Sequence, residues 1–150
     1  MVCLFNLLPA LAADKEEGCS RECQASLVQS YFERLSKVYQ AGSSEEDLNV
    51  FFELMHDSVK YEHIQYGANF NKSSWVEAFH RNFKRGAYKK AANEKMKVLK
   101  FIHGKSHVAV EYAYGSTDEK GNWTEAETGP GLLAVFGFQD SKITLIREYW

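Results

Sequence analysis

Apolar residues recur at steps of three and four positions between about Ser20 and Ala41. The apolar positions in this stretch are Leu27, Val28, Tyr31, Phe32, Leu35, Val38 and Tyr39. Because an α-helix makes one turn every 3.6 residues, this spacing places them on one helical face. The sequence therefore predicts a long amphipathic helix that ends at Gly42.

Two further helices are predicted from capping-box pairs, in which a Ser is followed three residues later by an acidic residue. Ser43 and Glu46 mark the start of a short helix that runs to about Met55. Ser74 and Glu77 mark the start of a third helix that ends near residue 86. The apolar stripe of this third helix consists of Trp75, Val76, Phe79 and Phe83.

After residue 57 the pattern changes to period two, which is typical of a β-strand. Val59, Tyr61 and His63 then share one face, and Glu62 lies on the other. Residues 67–71 indicate a loop. Four later apolar runs, at 96–102, 107–114, 131–138 and 143–150, are separated by turn-forming residues and predict antiparallel hairpins. The fold class is therefore α+β, with the helices in the N-terminal half.

Composition limits the classes of protein to which the chain can belong. With 150 residues, 45 % of them hydrophobic, it is long enough for one well-buried core, and we expect one domain over residues 20–150. Aromatic residues make up 14 %, which suits a ring-lined core or cavity. The net charge of −2 supplies no large positive field, so we expect no nucleic-acid partner.

The N-terminal segment has the composition of an export signal. Residues 1–13 are apolar and end in small residues, although the usual positive charges are missing. We expect either a truncated signal peptide or an N-terminal arm, and hence a periplasmic or secreted protein, without stable membrane insertion once the signal is removed. If residues 1–13 are not a signal, the alternative is the cytoplasm. In an exported product Cys19 and Cys23 are candidates for a disulfide.

The order of these elements resembles the SnoaL-like branch of the nuclear transport factor two superfamily. The residues that carry the resemblance are the strand opening Asp57-Ser58-Val59 and the terminal run Ile143-Thr144-Leu145-Ile146-Arg147-Glu148-Tyr149. The resemblance implies a cone-shaped, curved sheet wrapped around three helices, with an internal apolar pocket and a homodimer formed through the outer face of the sheet. Members include isomerases, an epoxide hydrolase, cyclases, a dehydratase and binding modules, so the fold does not select a function.

Two residues on the first strand are candidates for acid/base chemistry in that pocket. His63 titrates near neutral pH, and Tyr61 has a hydroxyl that can donate to a developing negative charge. Isomerases of the superfamily carry an aspartate near the place of Glu62-His63, and that residue is absent here. Both candidates have an ordinary structural alternative, namely a histidine tied to a backbone carbonyl and a tyrosine in the core.

Other residues are expected to line the pocket and bind the ligand. They are Trp75, Phe79, Tyr112, Tyr114, Arg147 and Tyr149, together with Tyr61 and His63. An inward Arg147 would bind a substrate carboxylate, whereas the alternative is an ion pair with a nearby acid. On the strand at 107–114 we expect Glu111 to face outward, and the opposite parity would bury it.

These residues lead to three functional hypotheses. The first is a binding protein for a small apolar molecule, and the second is a cofactor-independent lyase, isomerase or hydrolase that uses His63 and Tyr61. The third is a non-catalytic dimerisation module. No metal-ligand spacing, glycine-rich phosphate loop or serine-nucleophile motif is found, so we expect neither a metal nor a cofactor.

Overall fold

The structure is a computed structural model that describes residues 18–126 and 131–150. Its elements in chain order are α1 (Arg21–Tyr39), α2 (Glu45–Phe52), β1 (Met55–His63), β2 (Ala68–Asn71), α3 (Lys72–Lys84), β3 (Glu94–His103), β4 (His107–Thr117), β5 (Trp123–Glu125), β6 (Leu132–Gln139) and β7 (Lys142–Tyr149). Within these residues, no helix has the length and apolar character needed to cross a membrane. The N-terminal segment 1–13 lies outside the described residues.

The predicted first helix is present as α1, and its start is fixed by local chemistry. Ser20 is the N-cap, and its side chain accepts a hydrogen bond from the amide of Cys23. Cys19 and Cys23 are joined by a disulfide with a Cα–Cα distance of 5.3 Å. Gln24, 1 % exposed, donates from its amide to the carbonyls of Cys19 and Lys105. These contacts hold the first turn of α1 against the hairpin of β3 and β4.

The other two helices are present, but their capping boxes differ from those predicted. The box of α2 pairs Ser44 with Asp47, one residue later than expected. The box of α3 pairs Asn71 with Ser74, so Ser74 is the second member of the box and not its first. Sequence matches of this kind locate a helix start only to within a turn. Met55, expected at the end of the second helix, instead begins β1.

The strands form one curved, open sheet in the order β2-β1-β7-β6-β4-β3, with β5 paired to β4. The four later runs pair antiparallel as predicted, whereas β1 joins the sheet through a parallel pairing with β7. The predicted loop at 67–71 contributes the short strand β2, which pairs with β1. The sheet is therefore mixed, and its parallel pair joins the first strand of the chain to the last.

A bulge in β7 decides which side chains of that strand face the helices. Phe138 on β6 pairs with Ile143, and the next residue back, Gly137, pairs with Leu145, which leaves Thr144 as the extra residue. Ile143 and Ile146 are consequently both fully buried although they are three positions apart. Past the bulge, the even-numbered positions of β7 face inward.

The concave face of the sheet packs on the three helices through aromatic rings. Tyr31 on α1 contacts Phe51 on α2 and Phe136 on β6, with ring centroids 5.3 and 5.0 Å apart. Phe51 in turn contacts Trp75 and Phe79 on α3 at 5.8 and 5.7 Å. This packing holds α1 against β6 and links the three helices, and a cavity lies between α1, α3 and the sheet.

Candidate functional site

The cavity has a volume of about 260 Å³ and opens between α1, α3 and the end of the sheet that carries β1 and β7. Its lining residues are Tyr31, Leu35, Tyr39, Tyr61, His63, Tyr66, Ala68, Phe70, Trp75, Ala78, Phe79, Asn82, Tyr114, Glu148 and Trp150. Nine of these fifteen are Phe, Tyr or Trp, so the walls are mainly ring faces and edges. The volume lies just below the range of about 300–1,000 Å³ that is typical of small-molecule sites.

The parallel pairing of β1 with β7 places the polar residues of the cavity. In this pairing Tyr61 lies beside Ile146 and His63 lies beside Glu148. The side chains at these positions point toward the helices, because Val59 and Ile146 on the same faces are fully buried. Residues 85 positions apart in sequence thus lie side by side on the cavity wall.

Glu148 is the centre of a group of side chains that we call the Glu148 cluster. Tyr61, Tyr112 and Trp150 belong to it through hydrogen bonds, and His63 lies beside the carboxylate. Tyr61 donates its hydroxyl to Glu148 Oε2 at 2.7 Å, and Tyr112 donates to Oε1 at 3.3 Å. The indole N–H of Trp150 donates to the Tyr112 hydroxyl at 2.7 Å. Each carboxylate oxygen therefore accepts one hydrogen bond and keeps a lone pair for another donor.

The environment of Glu148 favours its neutral form more than water does. The residue is 5 % exposed. Burial raises the pKa of its carboxyl above the ordinary value, and the hydrogen bonds from Tyr61 and Tyr112 oppose that rise. A carboxyl group with these properties can bind and release a proton closer to neutral pH than an exposed one.

His63 lies against the same carboxylate. Its Nε2 is 3.9 Å from Glu148 Oε2, which is too long for a hydrogen bond, and both ring nitrogens are buried without a hydrogen-bond partner. The ring packs against Tyr66 and Trp150, with centroids 4.4 and 4.6 Å away. Burial lowers the pKa of the imidazole, which favours the neutral ring. It can both donate and accept a hydrogen bond to a molecule in the cavity.

The tyrosines around the carboxylate are held in their neutral, donating form. Burial, and next the charge of Glu148, raise the pKa values of Tyr61 and Tyr112 far above that of a free phenol. The same two causes raise the pKa of Tyr114, on the cavity wall, to about 12. These hydroxyls therefore donate hydrogen bonds, and a proton that moves in this site moves to or from Glu148 or His63.

No known family profile matches the chain, and no curated protein matches it either. Among solved structures, the chain is similar to an NTF2-like protein of unknown function from Burkholderia pseudomallei (14 % identity, 85 % of this chain and 90 % of that one, TM-score 0.55). It is also similar to an LEH-like epoxide hydrolase from M. tuberculosis (15 %, 85 % and 82 %, 0.55). A third similar structure is a hypothetical protein with a ketosteroid isomerase-like fold from Catenulispora acidiphila, in complex with trimethylamine (15 %, 83 % and 84 %, 0.50).

The fold is NTF2-like. The resemblance found in the sequence is thus confirmed at the level of the fold, including the curved sheet around three helices. At 14 and 15 % identity these structures establish the fold and no activity.

Most residues expected to line the pocket of the NTF2-like fold do lie there. Tyr61, His63, Trp75, Phe79 and Tyr114 all line the cavity. Tyr112 is 1 % exposed and reaches the cavity through its hydrogen bond to Glu148. On the same strand Glu111 is exposed, as expected from its parity.

Two of the expected ligand-binding residues do not face the cavity. Arg147 forms an ion pair with a nearby acid, which was the alternative to an inward position: its partner is Glu62 on the outer face of the sheet, and its side chain is 40 % exposed. Tyr149, two positions further, is 43 % exposed. The expectation assumed that Arg147 and Tyr149 share a face with Ile143, and the extra residue Thr144 reverses that parity.

The same bulge explains why Glu148 was missed. Uninterrupted alternation from Ile143 would place Glu148 outside, whereas the structure places it inside with Ile146 and Trp150. One signal was available, since Ile146 and Trp150 are apolar residues at even spacing around Glu148. The inward acid that the sequence analysis did not find is therefore present, on the last strand of the NTF2-like sheet.

The Glu148 cluster combines groups that can exchange a proton and groups that can donate a hydrogen bond. No group of three or more His, Cys, Asp or Glu side chains that could hold a metal ion occurs in residues 18–126 and 131–150. The cavity combines one carboxyl with a raised pKa, one neutral imidazole without a partner, and two hydroxyl donors within an apolar wall. This set can bind a small apolar molecule by its body and a polar group of it by Glu148 and His63.

Proposed function

We propose that this protein binds a small, largely apolar molecule in the ring-lined cavity, with the polar end of that molecule at the Glu148 cluster. The observation that supports the proposal most directly is the cavity of about 260 Å³ whose lining is mainly aromatic. Apolar surface that leaves water for such walls is stabilised by about 25 cal/mol for each Å². The two unpaired ring nitrogens of His63 support a polar contact at the inner end.

A cavity-filling substitution tests this proposal. Ala78 on α3 lines the cavity, so Ala78→Leu is expected to occupy part of the volume. A fluorescent aromatic probe, 2-naphthol, should bind the wild type saturably and bind the variant at least about tenfold more weakly. Ala87→Leu, at an exposed position outside the cavity, is the matched control and should leave binding unchanged. Equal affinity in all three proteins would place the probe elsewhere and contradict the proposal.

A second candidate function is cofactor-independent acid/base catalysis on the bound molecule. It is favoured by a specific observation, the raised pKa of Glu148 at the cavity wall. An ionised Glu148 would accept a proton from a C–H group or from a water, while Tyr61 or His63 would donate to the negative charge that develops. Lyase, isomerase and hydrolase reactions without a cofactor all begin in this way.

Proton abstraction can be measured without knowing the natural substrate. In 5-nitrobenzisoxazole, removal of the C3 proton by a base breaks the N–O bond and releases a coloured cyanophenolate. We expect the protein to accelerate this reaction, and Glu148→Gln to lower the second-order rate constant by about 100-fold or more, as is usual for loss of a general base. Glu62→Gln, one residue from His63 but on the outer face, is the control. Equal rates in the wild type and Glu148→Gln would remove Glu148 as the base.

Export and assembly stay predictions. We propose export on the composition of residues 1–13, and the disulfide between Cys19 and Cys23 is consistent with an oxidising compartment. We propose a homodimer through the outer face of the sheet, where Ile102 and Leu133 are exposed. Size-exclusion chromatography with light scattering would measure the oligomeric state.

A further inference from the structure

We propose that the ligand of the cavity carries an alkylated ammonium group, which lies among the rings and neutralises Glu148. The inference rests on the proposed function, because it names the chemical class of the molecule that this cavity binds. It is supported by the charges that face the cavity, by the aromatic residues of its wall, and by a surface lysine that contacts one of these rings.

The first support is the sign of the charge at the cavity wall. Among its fifteen lining residues none is Lys or Arg, and Glu148 is the one acid. The groups packed against that carboxylate are the hydroxyls of Tyr61 and Tyr112 and the imidazole of His63, whose pKa is lowered by burial. The nearby guanidinium of Arg147 lies on the other face of the sheet and is paired with Glu62. Within residues 18–126 and 131–150, no Lys or Arg side chain is paired with Glu148, and the imidazole of His63 lies 3.9 Å from it without a hydrogen bond.

A buried carboxylate without a counter-ion is unfavourable, since its desolvation is not repaid. A cationic ligand would supply that counter-ion, whereas an anionic ligand would be repelled. The outward position of Arg147 has the same consequence, because the residue expected to bind a substrate carboxylate is absent from the cavity. The charges of the site thus select against carboxylate ligands and for cations.

The second support is the aromatic wall. The faces of Tyr, Trp and Phe rings carry partial negative charge and attract a cation placed within about 6 Å of the ring centre. Tyr61 and Trp75 are stacked with centroids 4.7 Å apart, and Trp150 and Tyr66 flank His63 at the Glu148 end. Alkyl groups on the nitrogen would bury their apolar surface against these rings while the charge stays close to Glu148. Such a ligand makes favourable contacts with both the aromatic wall and the carboxylate of Glu148.

The third support is the behaviour of one ring that is shared between the cavity and the surface. The ammonium of the exposed Lys90 lies 4.4 Å from the ring centroid of Tyr114, which is also a lining residue. Lys90 itself is not among the lining residues. Lys90 thus forms a cation–π contact with one ring of the cavity wall, which is the kind of contact that we propose for the ligand.

Two isosteric probes separate charge from shape. Choline and 3,3-dimethyl-1-butanol have the same outline, but the first has a quaternary nitrogen where the second has a carbon. By calorimetric titration at pH 7.5, we expect choline to bind the wild type roughly tenfold or more tightly than the neutral alcohol. The affinity for choline should rise with pH as Glu148 ionises, while the affinity for the alcohol should not change.

Variants on the two faces of the sheet complete the test. Glu148→Gln keeps the size of the side chain and removes the charge, so the preference for choline should fall to about threefold or less. Glu62→Gln, on the outer face, should keep the full preference. Equal or tighter binding of the neutral alcohol to the wild type, or an undiminished preference in Glu148→Gln, would overturn the proposal.

The failure of this inference is distinguishable from the failure of the proposed function. If 2-naphthol or the neutral alcohol binds in the cavity and choline does not, the ligand class is wrong and the binding function stands. If none of these three compounds binds in the cavity, so that Ala78→Leu has no effect on binding, both the ligand class and the binding function are wrong. Circular dichroism of each variant shows whether it has kept the fold.

Discussion

The strands β1 and β7 carry two acid–base pairs side by side, one on each face of the sheet. In the parallel register Glu62 lies beside Arg147, and the next position places His63 beside Glu148. The first pair faces outward and forms an ion pair, and the second faces the cavity with 3.9 Å between Nε2 and Oε2. Two neighbouring positions of the same strand pair thus have opposite environments.

The difference lies in burial. The side chain of Arg147 is 40 % exposed, and the hydrogen bond to Glu62 raises the pKa of its guanidinium, so the arginine stays charged. His63 and Glu148 are 4 % and 5 % exposed, and burial lowers the pKa of the base and raises that of the acid. Both inner groups are shifted toward neutrality, which makes their charge depend on pH and on what enters the cavity. Burial therefore favours proton exchange on the inner face of the sheet and not on the outer face.

The largest expected effect comes from exchanging the partners within each pair. The inner exchange, His63→Glu with Glu148→His, moves the carboxylate away from the hydroxyls of Tyr61 and Tyr112. Hydrogen bonds to a charged group contribute about 1.5–3 kcal/mol each, so the free energy of unfolding should fall by roughly 3 kcal/mol or more. The outer exchange, Glu62→Arg with Arg147→Glu, should change the free energy of unfolding by less than about 1 kcal/mol. Urea unfolding followed by tryptophan fluorescence measures both, and equal losses would contradict the comparison.

The second effect concerns the hydroxyl that links two members of the Glu148 cluster. Tyr112→Phe leaves the indole N–H of Trp150 and Glu148 Oε1 each without a partner. Such unsatisfied groups cost about 1–3 kcal/mol, and we expect a loss of that size in the free energy of unfolding. Tyr66→Phe, at a residue that is 70 % exposed, is the matched control and should change it by less than about 0.5 kcal/mol. If Tyr112→Phe left the free energy of unfolding unchanged, a water molecule would have to replace the hydroxyl.

The third effect is on the pH dependence of stability. Because the pKa of Glu148 is raised in the folded state, the folded protein keeps a proton that the unfolded chain releases. Wild-type stability should therefore fall as the pH rises from the unfolded pKa to the folded one, by about 1.4 kcal/mol for each unit between them. Glu148→Gln has no such titration, so its advantage over the wild type should grow over this window and vanish in acid. Thermal unfolding from pH 4 to pH 8 tests this, and parallel curves would contradict it.

The smallest effect is expected from the outer pair alone. Arg147→Met removes the ion pair with Glu62, and because this pair is solvated, the Tm should fall by no more than about 2 °C at low salt. At about 1 M salt, where the Debye length is about 3 Å, the difference should disappear. A larger loss, or one that salt does not reduce, would show that the guanidinium packs against the sheet as well.

The inward faces of β1 and β4 were predicted correctly because, in the part of each strand that faces the helices, side chains alternate regularly between the two faces of the sheet. Val59, Tyr61 and His63 face the helices as expected, and so do Tyr112 and Tyr114. Local patterns also placed the three helices, although the capping residues differ by one to three positions. These features depend on interactions between residues that are near in sequence, which a sequence shows directly.

The last strand was interpreted wrongly for a physical reason. A single extra residue, Thr144, exchanges the faces of everything that follows it, and nothing in the local pattern of apolar residues marks where β6 and β7 change register. The parallel partnership of β1 with β7 was missed as well, because it joins segments from opposite ends of the described chain.

The sequence by itself determined that this protein has three helices, a strand-rich second half and a set of aromatic residues for a cavity. Those properties follow from hydrophobic period and side-chain type, which act over a few residues. The tertiary structure decided that Glu148 and not Arg147 enters the cavity, and that it meets Tyr61, Tyr112 and His63 there. Burial and long-range strand pairing bring these groups together, and they also shift the pKa values on which the proposed chemistry depends.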